Sequence, residues 1–268
     1  RWSRERQKLI SCFCCPPNTL RTVCEAQEYA YTVGSDALFV QLYGENTLAT
    51  TLGKKALKVS QKTDYPFDGR IELTIDAVGK NCLNTVNLRI PGWCDNATVT
   101  VNGEAQHVNV APNSYIALNR KWKKGDKIVL DMEMRAKLIE SNPLVEESRG
   151  EVAVKRGPLV YCLEEIDIDG NQNMKPGSGK TPSVSSVDID NIVLPMDIKF
   201  SVVDMEIAGS KMKALEGTAK YVEEPDWKGT LYREVSRKER DIKVRLIPHY
   251  AYGNRGLQDF TIFMPLAR

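Results

Sequence analysis

The stretch Ile71-Glu72-Leu73-Thr74-Ile75-Asp76 decides the fold class of this chain. On an extended backbone Ile71, Leu73 and Ile75 fall on one side and Glu72, Thr74 and Asp76 on the other, which describes a strand with one buried and one wet face. Working outward, the same period of two, or a short apolar burst, recurs at Leu38 to Tyr43, Ala56 to Val59 and Val86 to Ile90. Val99 and Val101 lead into Asn102-Gly103, a dipeptide that favours a type I′ hairpin turn. Tyr115 to Leu118 and Lys127 to Met134, the latter entered through Lys124-Gly125-Asp126, complete a first β-sandwich of about 100 residues. Asn142-Pro143 is the expected junction. Beyond it Glu151 to Lys155, Leu159 to Leu163, Ile198 to Val203, Ile242 to Ile247 and Phe260 to Met264 form a second set of strands around a Gly-, Ser- and Pro-rich loop, Gly170 to Ser186. The chain is therefore expected to be mainly β, with two consecutive, jelly-roll-like β-sandwiches over residues 37–141 and 142–268.

Only the amino end, residues 1–36, breaks this pattern. Leu20, Val23, Ala26, Ala30 and Tyr31 recur at three- and four-residue spacing, predicting one amphipathic helix from Thr19 to Tyr31 with Gly34 as its stop. Just before it stands Cys12-Phe13-Cys14-Cys15-Pro16-Pro17-Asn18, the densest chemistry in the chain. Adjacent cysteines rarely pair with each other, because a vicinal disulfide strains the peptide between them, whereas both reach a metal at about 2.3 Å without distortion. The prolines suit a first helical turn, whose free N–H groups favour a nearby thiolate. Zinc, which wants four ligands, would take Cys14 and Cys15, with Cys12 a third candidate and the remainder supplied from elsewhere.

Composition excludes several functions. A formal charge of +2, from 37 basic and 35 acidic residues spread along 268, provides no electrostatic footprint for nucleic acid or an anionic membrane. No apolar run approaches the ~20 residues a membrane helix needs, and the first residues carry no signal-peptide core. Seven cysteines, four of them in the first 24 residues, do not form a secreted-type disulfide framework, which leaves bacterial cytoplasm and periplasm both open. A chain opening at Arg1 and reaching its densest motif within fifteen residues is expected to be the downstream part of a longer polypeptide.

Other motifs have plainer readings. Gly177-Ser178-Gly179-Lys180-Thr181 imitates the end of a phosphate-binding loop, but Met174 stands where the leading glycine belongs and no strand-to-helix frame surrounds it. Cys12 and Cys15 have redox C-x-x-C spacing without a βαβ context. Cys24, Cys82, Cys94 and Cys162 read as small apolar residues, His107 and His249 as structural, and Glu25 and Glu28 as a solvated helix face. Trp93, Trp122 and Trp227 read as core aromatics rather than sugar platforms.

Cys14-Cys15-Pro16-Pro17-Asn18, with Arg21 and the helix to Tyr31, resembles the end of the catalytic barrel of glycoside hydrolase family 127. Leu88-Arg89-Ile90-Pro91-Gly92-Trp93, Val101-Asn102-Gly103 and Trp122 with Gly125-Asp126 are similar to its first sandwich; Arg156-Gly157-Pro158-Leu159-Val160-Tyr161 and His249-Tyr250-Ala251-Tyr252-Gly253-Asn254-Arg255-Gly256 are similar to its second. The resemblance implies an (α/α)6 barrel, of which residues 1–36 would be the end, followed by β-sandwiches. It implies a retaining β-L-arabinofuranosidase-type hydrolase acting on an oligosaccharide or glycoside, with zinc held by cysteines and a glutamate. Carried over, Cys14 would be zinc ligand and nucleophile and Cys15 a zinc ligand, while Cys12 has no assigned role. The acid/base Glu and the sugar-binding wall would belong to barrel segments outside this chain, which alone would be inactive. The rival expectation is a noncatalytic carbohydrate-binding or scaffolding module; a third is a purely structural zinc site.

Overall fold

The computed structural model describes residues 6, 9–175, 177, 186–223 and 226–267. The chain divides into two compact units, one formed by Leu9–Arg135 and the other by Ala136–Arg268 together with Arg1–Lys8.

The first unit opens with α1 (Cys15–Glu25), the only α-helix among the described residues, and a 3₁₀ turn over Ala26–Tyr29. Its strands are β1 (Tyr31–Val33), β2 (Ala37–Val40), β3 (Asn46–Leu52), β4 (Lys55–Thr63), β5 (Arg70–Val78), β6 (Thr85–Ile90), β7 (Ala97–Val101), β8 (Glu104–Ala105), β9 (Ser114–Asn119) and β10 (Lys127–Met132). They form a four-stranded sheet ordered β1-β2-β6-β9 and a six-stranded sheet ordered β3-β4-β5-β10-β7-β8. The alternation that opened the analysis holds: Ile71, Leu73 and Ile75 are fully buried, and Leu38, Val40, Leu88 and Ile90 of the other sheet join them in one core. One pairing, β2 with β6, is parallel. Asn102 (φ 54°) and Gly103 (φ 86°) make the expected two-residue turn between β7 and β8, since a type I′ turn requires positive φ at both positions.

The helix differs from expectation. The α-helix ends at Glu25 and tightens into the 3₁₀ turn Ala26–Tyr29, and Tyr31, expected as its last apolar position, opens β1 opposite Val40. The Tyr31 hydroxyl donates to Asn46 Oδ1 (2.7 Å) and accepts from Gln61 Nε2 (2.7 Å). Those bonds, half-buried in the sandwich, outweigh helix periodicity at its margin. Gly34 turns β1 into β2, its N–H donating to the Ala37 carbonyl at 2.8 Å, instead of stopping a helix.

The second unit contains β11 (Ala136–Glu140), β12 (Glu151–Arg156), β13 (Leu159–Ile168), β14 (Ile192–Val193), β15 (Ser201–Ile207), β16 (Ser210–Val222), β17 (Glu239–Pro248), β18 (Phe260–Thr261) and β19 (Phe263–Pro265). All belong to one nine-stranded sheet running β11-β12-β13-β17-β16-β14, with β15, β18 and β19 paired to β16, β13 and β12. β11, which precedes Asn142-Pro143, is bonded through all five residues to β12. A separate core is built from Val152, Val154, Tyr161, Leu163, Leu215, Val244, Leu246 and their neighbours. Arg255 fastens the closing loop to β13: its guanidinium bonds Glu164 Oε2, Asp167 Oδ1 (3.0 Å) and Asp167 Oδ2, and Glu164 Oε1 accepts the Gly253 N–H at 2.7 Å. Burial alone would lower the Arg255 pKa, but the bonds and charges of Asp167 and Glu164 outweigh it and raise it. The phosphate-loop imitation starts at Gly177 and otherwise lies outside the described residues.

Candidate metal and nucleophile centre

The cysteines sit where the helix starts because of how its N–H groups are used. The first four N–H groups of a helix have no partner within it. Here Cys14 is the N-cap, Cys15 opens the helix, and Pro16 and Pro17, which follow, have no N–H to satisfy. Asn18 is the first to bond backward, to the Cys14 carbonyl at 3.2 Å. The remaining N–H groups, those of Cys15 and Cys14, are the strongest influences on the Cys12 sulfur and lower its pKa to about 7, assisted by the neighbouring thiols. Cys15 is shifted upward, because its thiol hydrogen-bonds the sulfurs of Cys14 and Cys12. Thr22 Oγ1 bonded to the Asn18 carbonyl (2.9 Å) and Arg21 Nη1 bonded to Asn18 Oδ1 (2.6 Å) brace the first turns.

Cys12 Sγ lies 3.3 Å from Cys14 Sγ, which lies 3.5 Å from Cys15 Sγ, and the three sulfurs are within 4.8 Å of one another. Sulfurs sharing one tetrahedral zinc ion at about 2.3 Å each are about 3.8 Å apart, so the donor set and spacing fit a single soft cation. The structure thus brings Cys12, the third candidate from the sequence, against Cys14 and Cys15, although the resemblance had no role for it. The available signal was the C-x-C-C spacing followed by two prolines: they remove the competing N–H groups and leave two for the first sulfur.

The cluster is open. Cys14 and Cys15 are exposed and Cys12 is half-buried. No residue of α1 is buried, and Phe13 (94%), Leu20 (65%) and Val23 (68%) present bare apolar surface beside the thiols. Glu25 and Glu28 are exposed, as expected. Among the tryptophans, Trp122 is buried and Trp93 stacks on Tyr65 against the first core, but Trp227 is 43% exposed, with Arg233 over its ring at 4.9 Å. His249 stacks on Tyr252 (5.0 Å between centroids) as a structural residue of the closing loop. Cys82, Cys94 and Cys162 are buried, and burial pushes the Cys162 thiol up to about 12. Native thiol titration with a disulfide reagent at pH 8 should therefore count four fast sulfurs (Cys12, Cys14, Cys15, Cys24) and three that react only on unfolding. More than four fast sulfurs would contradict this burial pattern.

Two family models match the two β units and leave residues 1–36, which carry the sulfurs, outside both. The β-L-arabinofuranosidase GH127 middle domain matches residues 37–134 and the glycoside hydrolase family 127 C-terminal domain matches residues 136–265. The chain belongs to glycoside hydrolase family 127. The family's curated relatives include a non-reducing end β-L-arabinofuranosidase of Bifidobacterium longum subsp. longum, 28% identical over 260 residues. That match takes in 95% of this chain and 37% of the relative. A solved structure described as a glycoside hydrolase is 45% identical with a TM-score of 0.87, covering 100% of this chain and 42% of its own. The crystal structure of a GH127 β-L-arabinofuranosidase from Geobacillus stearothermophilus T6 is 34% identical with a TM-score of 0.83, over 99% of this chain and 39% of its own. The chain thus spans about two fifths of the length of these relatives.

Proposed function

We propose that this chain is the carboxy-terminal portion of a retaining glycoside hydrolase acting on β-L-arabinofuranosides or a related sugar, with Cys14 as the nucleophile. The observation that carries the reading is the contact of three sulfurs at the start of α1, with Cys14 between the other two. The activity stated for the family 127 relatives supports the substrate class. The bare apolar face of α1 supports a site completed by further polypeptide, which would supply the acid/base carboxyl, the remaining ligands and the sugar-binding wall.

Cys14 and Cys15, with Cys12 against them, are the residues that would hold zinc, which when bound would keep a thiol ionised and make sulfur a better leaving group. In the first displacement Cys14 Sγ attacks the anomeric carbon, and the aglycone oxygen departs with a proton from the acid. In the second, water gives its proton to the same carboxylate and attacks that carbon, and the Cys14 thiolate leaves. Two inversions retain configuration. The N–H groups of Cys14 and Cys15 favour negative charge on Cys12 beside this centre, while Cys15 is shifted the other way, so a bound cation would be what ionises the neighbouring thiols as well.

An activated 2-fluoro arabinofuranoside, whose deglycosylation is slow, tests the assignment in the longer protein. Peptide mapping should place the sugar on Cys14, with zinc present at about one equivalent and lost on chelation. A label on a carboxylate, with Cys14 unmodified, would reject the nucleophile.

A further inference from the structure

The second unit carries a cleft of about 710 Å3 that shares no residue with the thiol cluster. It lies on the face of the β16–β17 pair turned away from the core. Leu215, Ala219, Ile242, Val244 and Leu246 are buried, so the intervening Glu216, Thr218, Lys243 and Arg245 point the other way. In register, Glu216 faces Arg245 and Thr218 faces Lys243. Asp167 and Asp169 at the end of β13, Gln172 beyond them, and Lys199 and Phe200 before β15 complete the walls. Phe200 is half-buried against the second core, on the other side of β16 from these charges, and reaches its place because position 217 is glycine: a Cβ there would lie 3.0 Å from its ring.

Two properties specify what would fit. Several of the polar groups are fixed before any ligand arrives. Arg245 donates twice to Glu216 Oε1 (2.8 and 2.6 Å), Gln172 bridges Asp169 Oδ1 and the Gly170 N–H at 2.9 Å each, and Asp167 is held by Arg255. Fixed partners lower the ordering cost of binding. The charges also balance, with Asp167, Asp169 and Glu216 against Lys199, Lys243 and Arg245. An anion would meet the carboxylates and a cation the ammonium and guanidinium groups, whereas a neutral molecule dense in hydroxyls finds donors and acceptors side by side. The volume falls within the ~300–1,000 Å3 of small-ligand sites.

We propose that this cleft is a second carbohydrate site, binding a neutral oligosaccharide independently of the cysteines. Only the choice of an arabinose-based probe rests on the function proposed above. Calorimetric titration of the 268-residue chain with arabino-oligosaccharides and cello-oligosaccharides should give saturable binding to at least one of them. That binding should be unchanged in Cys14→Ser and about tenfold or more weaker in the double variant Glu216→Gln/Arg245→Gln, whose half-exposed side chains can change without emptying the core. Absence of neutral-sugar binding, equal binding by the double variant, or tighter binding of oligogalacturonate or inorganic phosphate would overturn the site. Loss of binding in Cys14→Ser would also overturn it, by moving the sugar to the sulfurs, and would leave the nucleophile assignment standing.

Discussion

In the longer enzyme, Cys14→Ser is expected to lower kcat on an arabinofuranoside by about 10³-fold or more, because a serine hydroxyl is neither ionised near neutral pH nor as nucleophilic as a thiolate. Steady-state kinetics with a good leaving group separates two readings. If Cys14 is the nucleophile, the loss falls on kcat and thermal stability changes little. If the sulfurs only tie a metal into the fold, Cys14→Ser lowers the melting temperature and the surviving folded protein turns over normally. Cys12→Ser sharpens the contrast: Cys12 has its charge stabilised by two backbone N–H groups and stands 3.3 Å from Cys14, yet the mechanism requires no bond from it to carbon. Its loss should weaken zinc retention and leave glycosylation at Cys14 intact. Equal kcat in wild type and Cys14→Ser would end the proposal.

Arg255→Ala should severely destabilise the second unit, costing about 3–5 kcal/mol. The reason is what it strands. The side chains of Glu164 and Asp167 are 1% and 3% exposed, and Arg255, itself 19% exposed, is the cation shared by both. Removing one member of a buried ion cluster leaves charge without compensation, which costs more than the cluster contributed. Arg255→Lys should recover little, because one ammonium cannot reproduce a guanidinium that bonds two carboxylates at once. Denaturant unfolding of the chain measures the effect, and a loss under about 1 kcal/mol would show the cluster to be dispensable.

Several stretches that looked like kinship signals in the sequence have physical explanations in the structure. Asn102 and Asp126 are one network: Asn102 Nδ2 donates to Asp126 Oδ1 (2.9 Å) and Lys127 N donates to Asn102 Oδ1 (2.8 Å). Burial works against the Asp126 charge, but the bonds from Asn102 and the Lys123 N–H still hold its carboxyl below the usual range. Gly157-Pro158 joins β12 to β13 with a positive φ of 56° at Gly157, and Arg255 closes the buried cluster. Turn chemistry and apolar alternation are local, so the strands at Ile71, Val86, Lys127 and Ile242 were legible in the sequence. β16 was not, although it is the longest strand at 13 residues. Gly217 and Ala219 share its core side with Leu215, and these small residues weaken the alternation while leaving room for Phe200. β3 escaped because Thr-rich Asn46–Leu52 is half-exposed along most of its length. At the sulfurs, Cys14 and Cys15 could be read from adjacency. Cys12 could be named there only as a third candidate, and the accounting of N–H groups around Pro16 and Pro17 that favours it needs the helix start to be known.

The Ala30 carbonyl accepts the N–H groups of both Gln41 (2.9 Å) and Leu42 (3.2 Å), and Tyr31 pairs with Val40 immediately after. Only the 3₁₀ turn Ala26–Tyr29 therefore separates the sulfur-bearing helix from its neighbouring sheet. Recombination between homologues, or a laboratory chimera, cannot exchange that sheet as a passive accessory: a splice between Glu25 and Tyr31 would re-aim the sulfurs. The workable crossover points lie upstream of Cys12 or beyond Arg135, which makes the sulfur-bearing helix and its sandwich one heritable part.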